Sequence, residues 1–274
     1  MIKLLFSLFS FLSLTFAYDE SLIKHSVNLS QAAYCVSSVN DWNCITCDPS
    51  VKLEYVVENG GSRAIQGFDP NTNTIFTSFR GSSNIQNWIN NIKIQKISPY
   101  NDSSIEIEKG FYREYMYIQS SLFEHLGVLK EKYNTNKLII TGHSAGAAMG
   151  TLMVYDILST YTEYNIQYLV TFGSPRVGNQ PFVDHFSSYN LMSYRVTHYY
   201  DIVPHVPEEM LGFSHIPNEI WYNEQNNQYK ICNDQNGEDD SCSNSCSPLH
   251  CTSTSDHLNY LNVSMGNDGS SCFS

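Results

Sequence analysis

Lys137-Leu-Ile-Ile-Thr141 is a short apolar segment that continues directly into Gly142-His143-Ser144-Ala145-Gly146, and a helical apolar run from Met149 to Leu158 follows. Strand, G-x-S-x-G and helix in this order are typical of a nucleophile elbow, a sharp turn that holds a serine hydroxyl above a sheet. Side chains at Gly142 and Gly146 would collide with that turn, so both positions require glycine. A glycine-rich turn with a solvated serine is the alternative, and the flanking strand and helix favour the elbow.

A serine hydroxyl is a weak nucleophile that needs a general base, and the base needs an acid that orients it. In this architecture the chain order is serine, acid, histidine. Asp201 comes two residues after the end of the predicted strand 192–199, where the C-terminal edge of a sheet presents side chains. Of the nine histidines, His257 follows late enough to arrive from a separate loop. We therefore predict Ser144, Asp201 and His257 as nucleophile, orienting acid and base.

A serine nucleophile of this kind also needs two N–H donors for the oxyanion that develops when it attacks a carbonyl group. One is expected at Ala145, directly after the serine, and the other in the loop after an early strand. The predicted strand 74–80 runs into Gly81-Ser82-Ser83, where the amide and hydroxyl groups of Ser82 could both donate. We predict an oxyanion hole formed by Ser82 and Ala145, and an ordinary turn at a strand end is the alternative.

A short amphipathic helix is predicted immediately after this loop. Ile85, Trp88, Ile89 and Ile92 fall at positions i, i+3, i+4 and i+7, and asparagine and glutamine occupy the other face. Such a stripe is more often ordinary core. A helix of about two turns is marginal on its own, however, and its position beside Ser82 favours a mobile lid over an apolar cleft.

The rest of the chain predicts a central, mostly parallel sheet flanked by helices, because strands and helices alternate from residue 137 onward. Turn-forming segments at 58–61 and 69–72 separate three earlier strands, which predicts an antiparallel meander. The tail over 223–256 is polar and rich in asparagine, serine and cysteine, so a loop region cross-linked by disulfides is expected there. The predicted helices are 19–39, 109–133, 144–160 and 179–187, and the predicted strands are 51–57, 63–68, 74–80, 137–141, 166–172 and 192–199.

Residues 1–17 are predicted to be a secretory signal peptide, with one cation at Lys3, an apolar run from Leu4 to Phe16 and a small residue at Ala17. An uncleaved anchor is the alternative. No other segment is long and apolar enough to span a bilayer. We expect residues 18–274 to form one domain, either extracellular or in a secretory-pathway vesicle or lysosome-like compartment.

The formal net charge is −12, with 27 acidic and 15 basic residues and no basic run. Nucleic acid and strongly anionic membranes are therefore poor candidate partners. A neutral substrate surface suits this charge better. Glycosylation sequons at Asn28, Asn101 and Asn262 agree with export.

All eight cysteines follow the predicted signal peptide, and an even number in a secreted chain indicates disulfides, although eight cysteines allow 105 pairings. Cys44-Ile-Thr-Cys47 could also be half of a zinc site or a redox motif. Only one such motif occurs, and the nearby histidines lack regular ligand spacing, so no metal is predicted.

Five ordered motifs resemble the fungal-type (class 3) lipases, and the similarity covers the mature chain nearly end to end. The resemblance implies an α/β-hydrolase fold that hydrolyses acylglycerol esters without a metal or other cofactor. It implies the same triad and oxyanion residues, and a lid helix around Trp88 that opens at lipid interfaces. The partner is expected to be a lipid ester at an oil–water interface, and a monomer is expected. The motifs are Phe79-Arg-Gly-Ser-Ser-Asn-Ile-Gln-Asn-Trp88, Thr141-Gly-His-Ser-Ala-Gly146, Thr171-Phe-Gly-Ser-Pro-Arg-Val-Gly178, Asp201-Ile-Val-Pro-His-Val-Pro207 and Asp256-His-Leu-Asn-Tyr260.

The resemblance also implies three disulfides, Cys35–Cys272, Cys44–Cys47 and Cys232–Cys242, which leaves Cys246 and Cys251 to pair with each other. The family usually has a bulky residue at the position of Ala145 and a glycine at that of Ala147, so a wider acyl groove is expected. The family also contains phospholipases and feruloyl esterases, which are alternatives to a triacylglycerol lipase. A non-catalytic lipid-binding protein is a third alternative, against which the filled triad positions argue.

Overall fold

The computed structural model describes residues 18–91, 94–234, 238–246, 250–266 and 269–273. The predicted signal peptide and Ile92 of the predicted lid lie outside the described residues. The helices are α1 Glu20–Cys35, α2 Ile85–Asn91, α3 Lys109–Met116, α4 Gln119–Tyr133, α5 Ala145–Ser159, α6 Gln180–Ser188, α7 Thr254–His257 and α8 Gly269–Cys272. The strands are β1 Lys52–Asn59, β2 Ser62–Asp69, β3 Thr74–Arg80, β4 Lys96–Ile97, β5 Ile107–Glu108, β6 Lys137–His143, β7 Asn165–Phe172, β8 Ser193–His198, β9 Glu219–Tyr222, β10 Tyr229–Ile231, β11 Asn259–Tyr260 and β12 Val263–Ser264.

Eight of these strands form one sheet in the order β1-β2-β3-β6-β7-β8-β9-β10. The pairs β1–β2 and β2–β3 are antiparallel, which confirms the meander. The neighbouring strands β3, β6, β7, β8 and β9 of this sheet are parallel. The added edge strand β10 is antiparallel to β9. The carboxyl ends of β3, β6 and β8 therefore lie at one edge, where a parallel sheet places its functional loops.

Both faces of the sheet are covered, so the central strands are almost continuously apolar. On one face, α1 packs against Phe76 and Ile139. On the other face, Ile75, Leu138 and Ile140 belong to the core cluster that includes residues of α3, α4, α5 and α6. Successive side chains of β3 and β6 thus point to opposite faces of the sheet, as the geometry of a strand requires.

Three predictions about the elements are wrong. α1 ends at Cys35, and Val39 beyond it is 44% exposed. The helix predicted over 109–133 is broken between α3 and α4, where the fully buried Ile118 has a φ of −119°. No glycine or proline marks this break, so the sequence carries no signal for it. The tail predicted as loop contains β10, which extends the main sheet.

Four disulfides join Cys35 to Cys272, Cys44 to Cys47, Cys232 to Cys242 and Cys246 to Cys251. The first of them ties the end of α1 to α8, almost the two ends of the described chain. Across the described ranges, no helix combines the length and the apolar composition needed to cross a membrane.

Candidate active site

Ser144 is the single residue between β6 and α5, and its backbone has φ 60° and ψ −133°. This conformation is strained for a residue with a side chain, by about 1–3 kcal/mol. A Cβ at Gly142 would lie 2.5 Å from the carbonyl oxygen of Gly146, and a Cβ at Gly146 would lie 2.4 Å from that of Phe79. The two glycines therefore allow the helix to start against the strand, which leaves the serine side chain at the apex of the turn.

Asp201 follows β8, and His257 is the last residue of α7. The imidazole Nδ1 of His257 lies 2.8 Å from Oδ2 and 3.0 Å from Oδ1 of Asp201. A carboxylate can only accept, so Nδ1 carries the proton and Nε2 is left with its lone pair. The same carboxylate accepts hydrogen bonds from the Val203 amide at 2.8 Å and the Tyr260 hydroxyl at 2.5 Å.

Burial alone would raise the pKa of the Asp201 carboxyl, but its partners outweigh burial and lower that pKa. The partners are the positive charge that His257 acquires and the hydrogen bonds from His257, Tyr260 and Val203. Asp201 is therefore ionised at neutral pH, as a group that stabilises an imidazolium must be.

Ser144 and His257 both line a cavity of about 160 Å³, together with Ser82, Ile85 and Leu258. Ser144 Oγ and His257 Nε2 are both buried, and neither has a hydrogen-bond partner among the described residues. Buried polar atoms are almost always paired. Two unpaired ones on one small cavity mark the place where a ligand would complete the site.

The oxyanion loop passes directly against the elbow. A Cβ at Gly81 would lie 2.7 Å from Cβ of Ser144, so only glycine allows this approach. Ser82 lines the cavity, and its hydroxyl accepts a hydrogen bond from the Asn84 amide at 3.3 Å. Ala145 is the first residue of α5, so its N–H is one of the donors that a helix leaves without an internal partner.

The predicted lid is helical from Ile85 to Asn91. Ile85 is buried and forms part of the wall of the cavity over Ser144. Trp88 stacks on Phe111 of α3 with 6.0 Å between ring centroids, and Ile89 is half-buried. The helix therefore contributes Ile85 to the wall of the cavity, while Trp88 packs against α3.

Two residues that the sequence did not indicate link these parts. The Tyr34 hydroxyl accepts a hydrogen bond from the Gly81 amide at 3.0 Å and lies 2.7 Å from Nδ1 of His143. Nε2 of His143 lies 2.8 Å from the carbonyl oxygen of His257, which can only accept. His143 therefore carries its proton on Nε2, and Tyr34 donates to Nδ1. Burial, with the charge of His257 next to it, holds the pKa of His143 well below its usual range, so this ring stays neutral.

Two groups of side chains in the described part of the chain lie close enough to share a metal ion, His205 with Cys246 and Cys251 and Glu219 with Cys232 and Cys242. Each group includes both sulfurs of a disulfide. A metal ligand is a thiolate, so neither group offers a metal site while its disulfide is intact.

A mostly parallel sheet with a serine on a strand-to-helix elbow, and an aspartate–histidine pair facing it, defines an α/β-hydrolase. The family model described as Lipase (class 3) matches residues 76–211. The lipase of Rhizomucor miehei is 30% identical over 254 residues, which cover 89% of this chain and 69% of that protein. The lipase of Rhizopus niveus is 30% identical over 262 residues, 92% of this chain and 66% of that protein.

The solved structure of Rhizomucor miehei triacylglyceride lipase matches with a TM-score of 0.84 and 30% identity over 91% of this chain and 97% of that one. The chain thus spans about two thirds of the length of the curated relatives and nearly all of the solved enzyme. The chain belongs to the class 3 lipase family. It is a carboxylic ester hydrolase.

Proposed function

We propose that the protein is a secreted triacylglycerol lipase in which Ser144 is the nucleophile, His257 the general base and Asp201 the residue that orients it. The observation that carries the proposal is the His257–Asp201 pair, which presents an unpaired Nε2 to the same cavity as the unpaired Ser144 Oγ. One solved relative, at 30% identity and a TM-score of 0.82, is described as a triacylglycerol lipase whose catalytic centre is a serine protease triad.

The arrangement supports ester hydrolysis in two steps, acylation of the serine and hydrolysis of the acyl-enzyme. Ser144 Oγ attacks the ester carbonyl carbon while His257 Nε2 takes its proton, and the amides of Ser82 and Ala145 stabilise the oxyanion. His257 then gives the proton to the departing alcohol, which leaves an acyl-enzyme. Water attacks that ester by the same route, which releases the fatty acid and restores Ser144.

A lipid substrate is favoured by what covers the site. Ile85 of the lid and Leu258 beside His257 give the cavity apolar walls. At the loop after Asp201, Met210 is 89% exposed and Leu211 is 45% exposed. Two contacts hold the backbone of that loop in place: the Arg176 guanidinium forms an ion pair with Glu209, and the Lys96 ammonium donates a hydrogen bond to the Gly212 carbonyl. Fixed, exposed apolar side chains are suited to contact with an oil surface.

Export is proposed on three grounds. Four disulfides indicate an oxidising compartment. The apolar run over residues 4–16 is the second ground, and we propose residues 1–17 as a cleaved signal peptide. Residues 18–274 are proposed to form one monomeric domain. Of the sequons, those at Asn101 and Asn262 are exposed, whereas Ser30 of the Asn28 sequon is buried and hydrogen-bonded to Thr141. Glycans are therefore expected at the first two.

The test is a fluorescent alkyl phosphonate, followed by assays on emulsified triglyceride and on a dissolved short-chain ester. The proposal requires stoichiometric labelling that Ser144→Ala abolishes, and release of fatty acid from the emulsion. Labelling of Ser144 without turnover of any ester would instead indicate a lipid-binding protein. For the surface, Met210→Ser should weaken binding of Ser144→Ala protein to the emulsion, and Ile45→Ser, another exposed apolar residue, should not.

A further inference from the structure

A second cavity, of about 190 Å³, lies outside the active site and shares no lining residue with the cavity over Ser144. Three segments of chain form it: the first turns of α1, the hairpin of β9 and β10, and the turn between β11 and β12. Its lining combines tyrosine rings with carboxylate, ammonium and amide groups. Such a lining suits a ligand that is apolar on its faces and polar around its edge, as a sugar ring is.

The turn between β11 and β12 carries a glycosylation sequon, Asn262-Val263-Ser264. Leu261 and Asn262 are its two turn residues, with φ of 53° and 63°, and the Leu261 amide donates at 3.0 Å to the buried Asn226 side chain. The Asn262 side chain is exposed, lines the cavity and has no hydrogen-bond partner within the described ranges. Its amide nitrogen is therefore free to carry a glycan, whose first sugar would begin at the cavity.

One tyrosine of the cavity is both exposed and held in place. Tyr229 is 44% exposed, and its ring centroid lies 4.2 Å from that of Tyr18 and 5.6 Å from that of Tyr222. Tyr222 is buried, and its hydroxyl is hydrogen-bonded to the Tyr18 hydroxyl. The Tyr229 ring is thus already ordered, so a sugar that packs against it pays little for fixing the side chain.

The cavity also offers hydrogen-bonding groups that remain open to a ligand. Glu20 and Lys24 of α1 form an ion pair at 2.6 Å, and both side chains are more than half exposed. The Asn227 side chain accepts a hydrogen bond from Asn223 at 2.8 Å, which leaves its own amide N–H groups able to donate. Sugar hydroxyl groups both donate and accept, so they match the Glu20 carboxylate and the Asn227 amide.

The size of the cavity favours a sugar that is covalently attached. Pockets for free small ligands typically measure about 300–1,000 Å³, so this smaller cavity gives few contacts with which to capture a ligand from solution. A sugar linked to Asn262 is already present at an effective concentration on the order of millimolar or above, so weak contacts are enough to fill the cavity. The chain's own glycan is therefore the ligand that this position and this volume suit best.

We propose that this cavity binds the first sugar of a glycan attached to Asn262, with the ring against Tyr229 and its polar groups toward Glu20 and Asn227. The glycan is transferred from a lipid diphosphate donor to the Asn262 amide nitrogen, which loses one proton as the lipid diphosphate leaves. The inference rests on the proposed export and not on catalysis. A sugar in this place joins the start of α1 to the two hairpin turns, so it should stabilise the fold.

The first test removes one glycan at a time from protein secreted by a eukaryotic host, with occupancy checked by mass spectrometry. Ser264→Ala abolishes the sequon of Asn262, and Ser264→Thr keeps it. Ser103→Ala abolishes the sequon of Asn101 instead. In urea unfolding, Ser264→Ala should lower the ratio of folded to unfolded protein at least about fivefold, and the other two variants should match wild type. An equal loss in Ser103→Ala, or no loss in Ser264→Ala, overturns the inference.

The second test asks whether the first sugar contacts Tyr229. An endoglycosidase that leaves a single N-acetylglucosamine on Asn262 should preserve the stabilisation, and complete enzymatic removal of the glycan should abolish it. In Tyr229→Ser protein, Ser264→Ala should have no further effect, because groups in contact are not additive. Tyr117→Ser is the matched control, since Tyr117 is 43% exposed and lies beside Asn59 at the opposite edge of the sheet. Additive effects of Tyr229→Ser and Ser264→Ala would place the sugar in solvent and overturn the inference.

The inference and the proposed function fail separately. Ser264→Ala protein should hydrolyse triglyceride like wild type in the absence of urea. Secretion with a glycan on Asn101 and none on Asn262 leaves the proposed export standing and overturns the sugar site. If wild type hydrolyses no ester but Ser264→Ala shows its fivefold loss of stability, the sugar site stands and the catalytic proposal is wrong.

Discussion

Nε2 of His143 lies 2.8 Å from the carbonyl oxygen of His257, so the residue before the nucleophile holds the backbone of the base. The other nitrogen of His143 is held by Tyr34, which also accepts from the Gly81 amide. One neutral imidazole and one phenol thus connect the oxyanion loop, the elbow and the base. The relative positions of these parts depend on a side chain of the N-terminal helix.

Tyr34→Phe tests this connection. The change leaves the buried Gly81 amide and the Nδ1 atom of His143 without partners, and each lost partner is expected to lower the free energy of unfolding by about 1–3 kcal/mol. Because the oxyanion loop is loosened and the substrate contacts are not, kcat should fall while KM changes little. Urea unfolding and steady-state kinetics measure both. Tyr117→Phe, at an exposed tyrosine, is the control, and an unchanged kcat in folded Tyr34→Phe would show that the link is dispensable.

Ser144→Gly should be more stable than Ser144→Ala, although both should lose about 10⁴–10⁶ in kcat. The backbone at Ser144 has φ 60° and ψ −133°, which alanine finds as strained as serine does and glycine adopts freely. The expected gain in the free energy of unfolding is about 1–2 kcal/mol. A glycine variant that unfolds at lower urea concentration than the alanine variant would mean that the elbow stores no backbone strain.

The acid stability of the protein should depend on Asp201. Its pKa is lower in the folded protein than in the unfolded chain, so the unfolded chain binds more protons between those two values. Its contribution to stability is complete above about pH 4, the unfolded value, and is lost as the pH falls through the folded pKa. Tyr260→Phe removes a hydrogen bond that lowers this pKa, so the loss should still begin near pH 4 but should be smaller and should be complete at a higher pH.

Urea unfolding between pH 2 and 6 provides the measurement. Asp201→Asn is the reference, because it cannot titrate and should lack this part of the pH dependence. Identical profiles for wild type and Asp201→Asn would show that the carboxylate gains nothing from its partners. The Asn variant should also lose about 10⁴ in kcat, since its amide no longer fixes the tautomer of His257.

The disulfides should differ widely in what they contribute. Cys35–Cys272 spans 237 residues and Cys44–Cys47 spans 3. In the chain-entropy model, removing the first should lower the free energy of unfolding by about 5 kcal/mol and removing the second by about 2 kcal/mol. Paired alanine substitutions, compared by urea unfolding, measure the difference. Equal losses would rule out loop closure as the source of the stabilisation.

The elbow could be predicted from the sequence because its requirement is local and steric. Gly142 and Gly146 must both lack a Cβ, and the strand and helix on either side are visible in the apolar pattern. Asp201 and His257 followed from chain order, and their separation by 56 residues is bridged by the 2.8 Å contact in the structure. Their catalytic roles stay predictions, which the substitutions proposed for them test.

Other features had no local signal. Tyr34 and His143 are 109 residues apart, and no periodicity connects a phenol on α1 to an imidazole on β6. The break between α3 and α4 lies at the fully buried Ile118, and no glycine or proline lies next to it to mark the break in the sequence. The last two strands of the main sheet, β9 and β10, are four and three residues long, too short for a recognisable alternation, and the edge strand β10 is exposed along its whole length.

The lid supplies the last prediction. Ile85 is buried over the catalytic cavity, so opening α2 exposes it to water, which costs about 1.5–3 kcal/mol for one such side chain. Oil removes that cost, so activity on a short-chain ester should rise abruptly once the ester exceeds its solubility limit. Ile85→Ser weakens the closed state, so its activity on dissolved ester should increase up to about tenfold and the rise should flatten. Ile45→Ser is the control, and a smooth curve shared by all three proteins would show that α2 is a static wall.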